Sequence, residues 1–402
     1  MNIGKIFVTT AVISVFSITA ACASNNNNDG FAQLELHPAL NSTNTQWHAK
    51  SKTLTITESV QFVPDGRNNW TFTQMDKLKD EFYWDIPCDI KTVLIDENVT
   101  VTGHLRMTCE QNIEGKSRFN SIIYGTPTKA WARGENKKED EGTRCSRNGQ
   151  PAKVAGDDIV HDCEKWQYGA ISVVPTAPQN ATFYVKNLTV ENPRTYAITS
   201  IRHTFHIDGV NILNTREYPD TQSNSDGIGG GPGTVIKNTY IDTWDDSIKL
   251  YRDGMIVENV TIVHNPNGAP FQFGWGNKPA TNHLLKNVKV IESPSKSPQK
   301  RYNLPLFANS GGKVDATVRI AGMTAEYKNN SILNKCMTNQ PIPLVYLKHP
   351  QSKITLINAN NSQLRLFAPV IECGAGTLVW PGNQSTSTNM QTVTGCENCK
   401  PQ

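Results

Sequence analysis

A six-residue pattern, apolar-x-Asn/Gly-x-x-apolar, constrains this chain more than any other feature. It reads Val185-Lys-Asn-Leu-Thr-Val190, then Ile207-Asp-Gly-Val-Asn-Ile212, Ile236-Lys-Asn-Thr-Tyr-Ile241, Val257-Glu-Asn-Val-Thr-Ile262 and Leu285-Lys-Asn-Val-Lys-Val290. Successive copies start 22, 29, 21 and 28 residues apart. One short strand-bearing unit at such a period marks a solenoid, because a unit buries its apolar face only when a neighbour stacks on it. The central Asn or Gly suits a bend, and stacked asparagines can hydrogen-bond along the column. A β-sandwich would carry as many strands but would not repeat an Asn-bearing motif at coil length. The expected fold is all-β: a right-handed parallel β-helix with one continuous core over residues 45–382.

The rest of the chain agrees. Helical periodicity is scarce, and β-branched alternating runs occupy 53–63, 92–101, 171–174 and 183–190. At the start, Lys5, the apolar run Ile6 to Ala21 and the small residues around Ala23 read as a secretory signal over residues 1–23. The run is short for a membrane anchor. Lipoprotein attachment at Cys22 would want a leucine where Thr19 stands. Residues 24–44 read as a polar mature N terminus and 383–402 as a polar tail. The expectation is a secreted, extracellular monomer.

With Cys22 removed, eight cysteines remain, an even set that suggests disulfides in an exported chain. Nearest-neighbour pairing would join Cys88–Cys109, Cys145–Cys163, Cys336–Cys373 and Cys396–Cys399; the connectivity stays open. Cys396-x-x-Cys399 has no second ligand pair for zinc. Nine Asn-x-Ser/Thr acceptors, at Asn41, Asn69, Asn98, Asn180, Asn187, Asn259, Asn329, Asn360 and Asn383, suggest a glycoprotein. A charged stretch between Lys129 and Gln150 reads as a solvated loop. A net charge of only +3 gives no field for nucleic acid or an anionic membrane.

Chemistry concentrates between Ser223 and Tyr251. Asp226 is followed by glycines, and Asp245-Asp246-Ser-Ile-Lys249-Leu-Tyr251 comes about one coil later. Stacked strands sit about 4.8 Å apart, so carboxylates on neighbouring coils can share one groove. Glycoside hydrolysis needs such a set: a protonated acid at the leaving oxygen and a base for water, about 6.5–9.5 Å apart in an inverting enzyme. Crowding also raises the pKa of a carboxyl and keeps it protonated. Adjacent aspartates point to opposite sides of a strand, so Asp245 and Asp246 converge only if the backbone bends there. The ligand spacing after Asp220 fails for a calcium loop. The glycines from Gly227 to Gly233 fit no phosphate loop, and tight turns beside a groove are the expected reason for them.

Asp226-Gly, Asp245-Asp246-Ser-Ile-Lys-Leu-Tyr251 and Asn267-Gly-Ala-Pro-Phe-Gln-Phe-Gly-Trp275 together resemble the core of glycoside hydrolase family 49, the dextranase and isopullulanase family. The resemblance covers roughly residues 187–307. It implies a pectin-lyase-like solenoid and an inverting endo-hydrolase of α-1,6-glucan (dextran), with no metal and no organic cofactor. By position, Asp245 resembles the general acid, and Asp226 and Asp246 the carboxylates that activate water. Lys249 and Tyr251 resemble contacts to sugar hydroxyls. Gln272 and Trp275 resemble subsite residues, and Trp244 is either a stacking platform or a core filler. Polygalacturonases share the β-helix and three aspartates, but their Gly-His-Gly and Arg-Ile-Lys signatures are missing here. The N-terminal β-sandwich typical of family 49 is not expected in the short stretch before Cys88, which leaves the glycan open. Another α-glucan, an algal polysaccharide, or a non-catalytic carbohydrate-binding β-helix are the alternatives.

Overall fold

From Thr182 to Asp242 each described coil follows the order that the repeated hexapeptide implies: strand, short bend, strand, longer turn, strand. The computed structural model describes residues 30–62, 83–125, 169–174, 176–193, 196–200, 202–216, 225–273, 278–293, 301–302, 305–309, 311–326, 333–334, 344–358, 371–374, 376–379 and 391–392. The strands of successive coils pair in parallel and build three faces. On the first face Ile113, Val185, Ile207, Ile236, Val257, Leu285 and Ile320 are register partners in turn. On the second the column is Ile123, Val190, Ile212, Ile241, Ile262 and Val290. On the third it is Leu105, Ile171, Ile198, Ile228, Ile248, Phe271, Phe307 and Val345. All three columns are buried and form one core, which makes the chain a parallel β-helix. Like sits on like because each coil presents the same period-two pattern to the interior. Phe271 and Phe307 stack with ring centroids 5.3 Å apart.

The bend between the first and second faces explains why the middle of the hexapeptide is Asn or Gly. Asn187, Asn238, Asn259 and Asn287 have φ of 52°, 50°, 54° and 51°, and Gly209 and Gly322 take the same place at 65° and 87°. Only Gly and, less readily, Asn visit this left-handed region at low cost. The asparagines also form the expected ladder. Asn287 Nδ2 donates to Asn259 Oδ1 at 2.8 Å, and Asn259 Nδ2 to Asn238 Oδ1 at 3.3 Å. Asn238 Nδ2 in turn donates to Asp208 Oδ1 at 2.7 Å. Asn187 and Asn259 are therefore structural rungs as well as glycosylation acceptors by sequence.

Outside the first face, alternate positions carry charges of alternating sign: Glu114, Lys186, Asp208, Lys237, Glu258 and Lys286 in register. Ion pairs at 3.5 Å (Glu114–Lys186), 3.1 Å (Lys237–Glu258) and 2.6 Å (Glu258–Lys286) join them. Exposed pairs contribute little stability each, but a one-residue slip would set every one of them against the core.

Both ends of the solenoid carry further packing. Before Thr45, Leu40 is buried, and Phe31, Leu34, Leu36 and Ala39 pack against the core. Thr45–His48 then pairs antiparallel with Thr53–Ile56 and covers the first strand edge. Among the described residues no strand precedes Thr45. At the other end Gln391–Thr392 still pairs in parallel with Ile371–Gly374, so the third face continues beyond residue 382. Cys88 and Cys109 form the expected disulfide between adjacent coils, with Cα atoms 5.5 Å apart. Both partners of the Cys145–Cys163 and Cys396–Cys399 pairs, Cys336, the leader and the charged loop after Lys129 lie outside the described residues, and of Cys373 only the backbone is described. Among the described residues no helix is long and apolar enough to cross a membrane.

Candidate active site

The longer turn that leads onto the third face carries the acids. Asp226 precedes the strand Ile228–Gly229, and Asp245 and Asp246 precede Ile248–Lys249 in the next coil. Main-chain bonds lock the two turns together: Gly227 N–H donates to Asp246 O at 2.8 Å, and Ile228 N–H to Ser247 O at 2.9 Å. The backbone bends at Trp244 and Asp245, as convergence of two adjacent aspartates requires. The three carboxylates offer oxygens that all lie within 4.8 Å of one another. That is tighter than the spacing expected for an inverting pair. Coil stacking sets this closeness, since neighbouring rungs are themselves about 4.8 Å apart.

Two glycines permit it, through close approach and not through turns. A Cβ on Gly227 would lie 2.2 Å from Ser247 O, and one on Gly268 would lie 2.1 Å from the carbonyl carbon of Asp245. The turn explanation expected for the glycines holds for Gly233, whose φ is 67°.

Burial separates the acids. Asp226 and Asp246 are 2% and 3% exposed, whereas Asp245 is half-buried. Asp246 Oδ1 accepts the Ala269 N–H at 2.9 Å, and Oδ2 accepts Lys249 Nζ at 2.7 Å. Lys249 Nζ also lies 2.7 Å from Asp226 Oδ1 and donates to Gln272 Oε1 at 2.9 Å. The Asp226 contact is an ion pair by distance without hydrogen-bond angles. Tyr251 donates its hydroxyl to the same Gln272 oxygen at 2.5 Å. Burial raises the Asp246 carboxyl above its usual range, partly offset by Lys249 and reinforced by Asp226. Crowding does perturb a carboxyl here, but burial is the larger cause and the group is Asp246. Burial works against the Lys249 ammonium, yet Asp226 and Asp246 hold it well above its ordinary value. The local positive charge among the carboxylates is thus supplied by the protein's own lysine.

The structure brings together the three aspartates, Lys249, Tyr251 and Gln272. Lys249 and Gln272 are 3% and 1% exposed and are bonded within this cluster, Lys249 to Asp246 and to Gln272. Trp244 is 5% exposed, its main-chain N–H donating to Ser225 Oγ at 3.1 Å, as a core filler would be. Trp275 lies outside the described residues. Sequence reading missed Tyr196, which sits one coil before Asp226, with its ring centroid 5.4 Å from Lys249 Nζ. A lone tyrosine carries no motif; only the stacking of coils reveals it. It also missed Ser225 and Ala269, whose contributions are one hydroxyl and one N–H.

No family model matches the chain. A dextranase of Arthrobacter sp. (strain CB-8) is 27% identical over 128 residues, 31% of this chain and 20% of that protein. An isopullulanase of Aspergillus niger is 23% identical over 110 residues, 27% of this chain and 20% of that protein. The matched segments span about a fifth of each relative. Among solved structures, Dex49A from Penicillium minioluteum aligns over 78% of this chain and 51% of its own, at 12% identity and a TM-score of 0.37. In motif and in matched sequence alike, the chain resembles the dextranases and isopullulanases of glycoside hydrolase family 49.

Proposed function

We propose that the protein is a secreted, endo-acting, inverting glycoside hydrolase that cuts a polysaccharide, with α-1,6-glucan as its substrate. One observation carries the proposal: two stacked turns converge three carboxylates on one point, two buried and one half-buried. The matched dextranases support the choice of an α-glucan.

In this reading Asp245, the acid nearest solvent, protonates the glycosidic oxygen as the bond to the anomeric carbon breaks. Asp226 and Asp246 hold a water, and Asp246 takes its proton as the water oxygen bonds to that carbon. One product gains hydrogen from Asp245 and the other gains hydroxyl from water; solvent then returns the proton to Asp245 and removes that on Asp246. A carboxyl raised above its usual range is the stronger base once ionised. The choice of water attack over a covalent intermediate follows the resemblance to family 49, and the donors Ala269 and Lys249 orient the Asp246 carboxylate for it. Among the described residues, glycosylation in this proposal falls on exposed Asn41, Asn98 and Asn180, which lie outside the central Asn ladder.

Purified protein incubated with dextran, pullulan, polygalacturonate and sulfated algal glycans tests this by release of reducing ends. Dextran cleavage with inverted first products by anomer-resolved NMR is expected. Release from another glycan alone would remove dextran, a retained anomer would remove the water-attack step, and no release from any would leave a carbohydrate-binding β-helix.

A further inference from the structure

We infer that Lys249 is the resident counter-ion of the carboxylate pair Asp226 and Asp246, a positioning residue that keeps both ionised and in register and binds no sugar. This rests on the hydrolase reading above. An ammonium has three N–H donors, and three oxygens surround this one: Asp246 Oδ2 at 2.7 Å and Gln272 Oε1 at 2.9 Å accept hydrogen bonds, and Asp226 Oδ1 meets it as an ion pair at 2.7 Å. The lysine is only 3% exposed, so these oxygens fill its surroundings. The lysine's register partner in the preceding coil is Gly229, which adds no side chain to that position and so leaves room for the stem. The ring centroids of Tyr196 and Tyr251 lie 5.4 and 5.6 Å from Nζ, placing aromatic groups against a desolvated cation. Gln272 is fixed as well: both of its partners are donors, so its oxygen must face them. The cage draws on four consecutive coils, those of Tyr196, Asp226, Asp246 and Gln272, and Lys249 ties them together.

The charged and titratable groups acting on Lys249 are Tyr196 from one coil, Asp226 from the next, and Asp246 and Tyr251 from its own; from the following coil comes the neutral Gln272. Two buried carboxylates meet one cation. Without that cation they cannot both remain ionised, and one holds a proton at neutral pH. A sugar-contacting lysine would behave differently: its loss would weaken binding and leave the ionisation of the acids alone.

Lys249→Met separates the two. The acid limb of the kcat/KM profile is expected to move up by at least about one pH unit, with kcat down about 100-fold and KM changed less than about threefold. At pH 6 the variant should also gain a second infrared carbonyl band of a protonated carboxylic acid, beyond that of the general acid Asp245 in the wild type, a readout independent of turnover. A raised KM with an unmoved limb and no new band would overturn the inference. If Lys249→Met does not fold, Lys249→Met combined with Asp226→Asn removes both charges and is expected to regain the fold. Failure to regain it would equally overturn the inference. If the wild type cleaves no glycan, the hydrolase reading fails, and the infrared band still decides the role of Lys249.

Discussion

At the scale of single residues, the molecule spends buried polar groups where it needs them and tolerates a few elsewhere. His283 is one of the latter. Its ring is buried and neither nitrogen meets hydrogen-bond geometry. Burial pushes its pKa down from 6.5 to about 4. The folded state therefore refuses a proton that the unfolded chain accepts between those values. In that window the unfolded state binds more protons, so stability falls as pH drops from 6.5 towards 4 and levels below it. The shift corresponds to about 3 kcal/mol. Replacing His283 with Leu is expected to flatten the acid side of a plot of melting temperature against pH; an unchanged slope over that window would contradict this reading. Lys249 shows the opposite use of burial, since its charge meets two carboxylates and it donates to Asp246 and Gln272. That difference could not be seen in the sequence, where both are single polar residues on β-rich segments.

At the scale of elements, the one-residue bend is the unit that makes the coil. Asn238 has φ of 50°, and its side chain both donates to Asp208 and accepts from Asn259. Gly209 and Gly322 hold the same bend without a side chain. Asn238→Gly should then cost less than about 1 kcal/mol, while Asn238→Val, β-branched and forced to positive φ, should cost about 2–3 kcal/mol. Urea unfolding of the two variants checks this, and equal losses would show that the ladder bonds matter and the backbone conformation does not. The bend is also why the fold was legible. A left-handed position accepts few residue types, so Asn or Gly returns at each coil and marks the period. The third face left no such trace. Its turns vary in length, and Ile198–Thr199, Ile228–Gly229 and Ile248–Lys249 are two-residue strands too short to show periodicity. The strands Ile256–His264, Lys278–Glu292 and Val314–Glu326 run through the bend without interruption, so the sequence splits what the backbone joins.

At the scale of the whole molecule, the solenoid converts sequence distance into a fixed spatial step. Residues one coil apart become neighbours whatever lies between, and this is how Asp226 reaches Asp246 and Tyr196 reaches Lys249. The aspartates were legible because the coil length could be counted and the flanking Lys-Leu-Tyr gave them a context. The orientation of Lys249 and Gln272 was not, because motif position says that a residue is near the acids and not which way it faces. The antiparallel cap at Thr45–His48 was hidden for a related reason: closing a solenoid end needs only a few apolar residues among polar ones.

The central claim is that Asp226, Asp245 and Asp246 perform the chemistry. Asp245→Asn, Asp226→Asn and Asp246→Asn, each checked for wild-type melting behaviour, should lower release of reducing ends from the cleaved glycan by at least about 100-fold while still binding it. Turnover within a few-fold of wild type in any one of them would remove that aspartate from the mechanism, and in all three would contradict the assignment of this site.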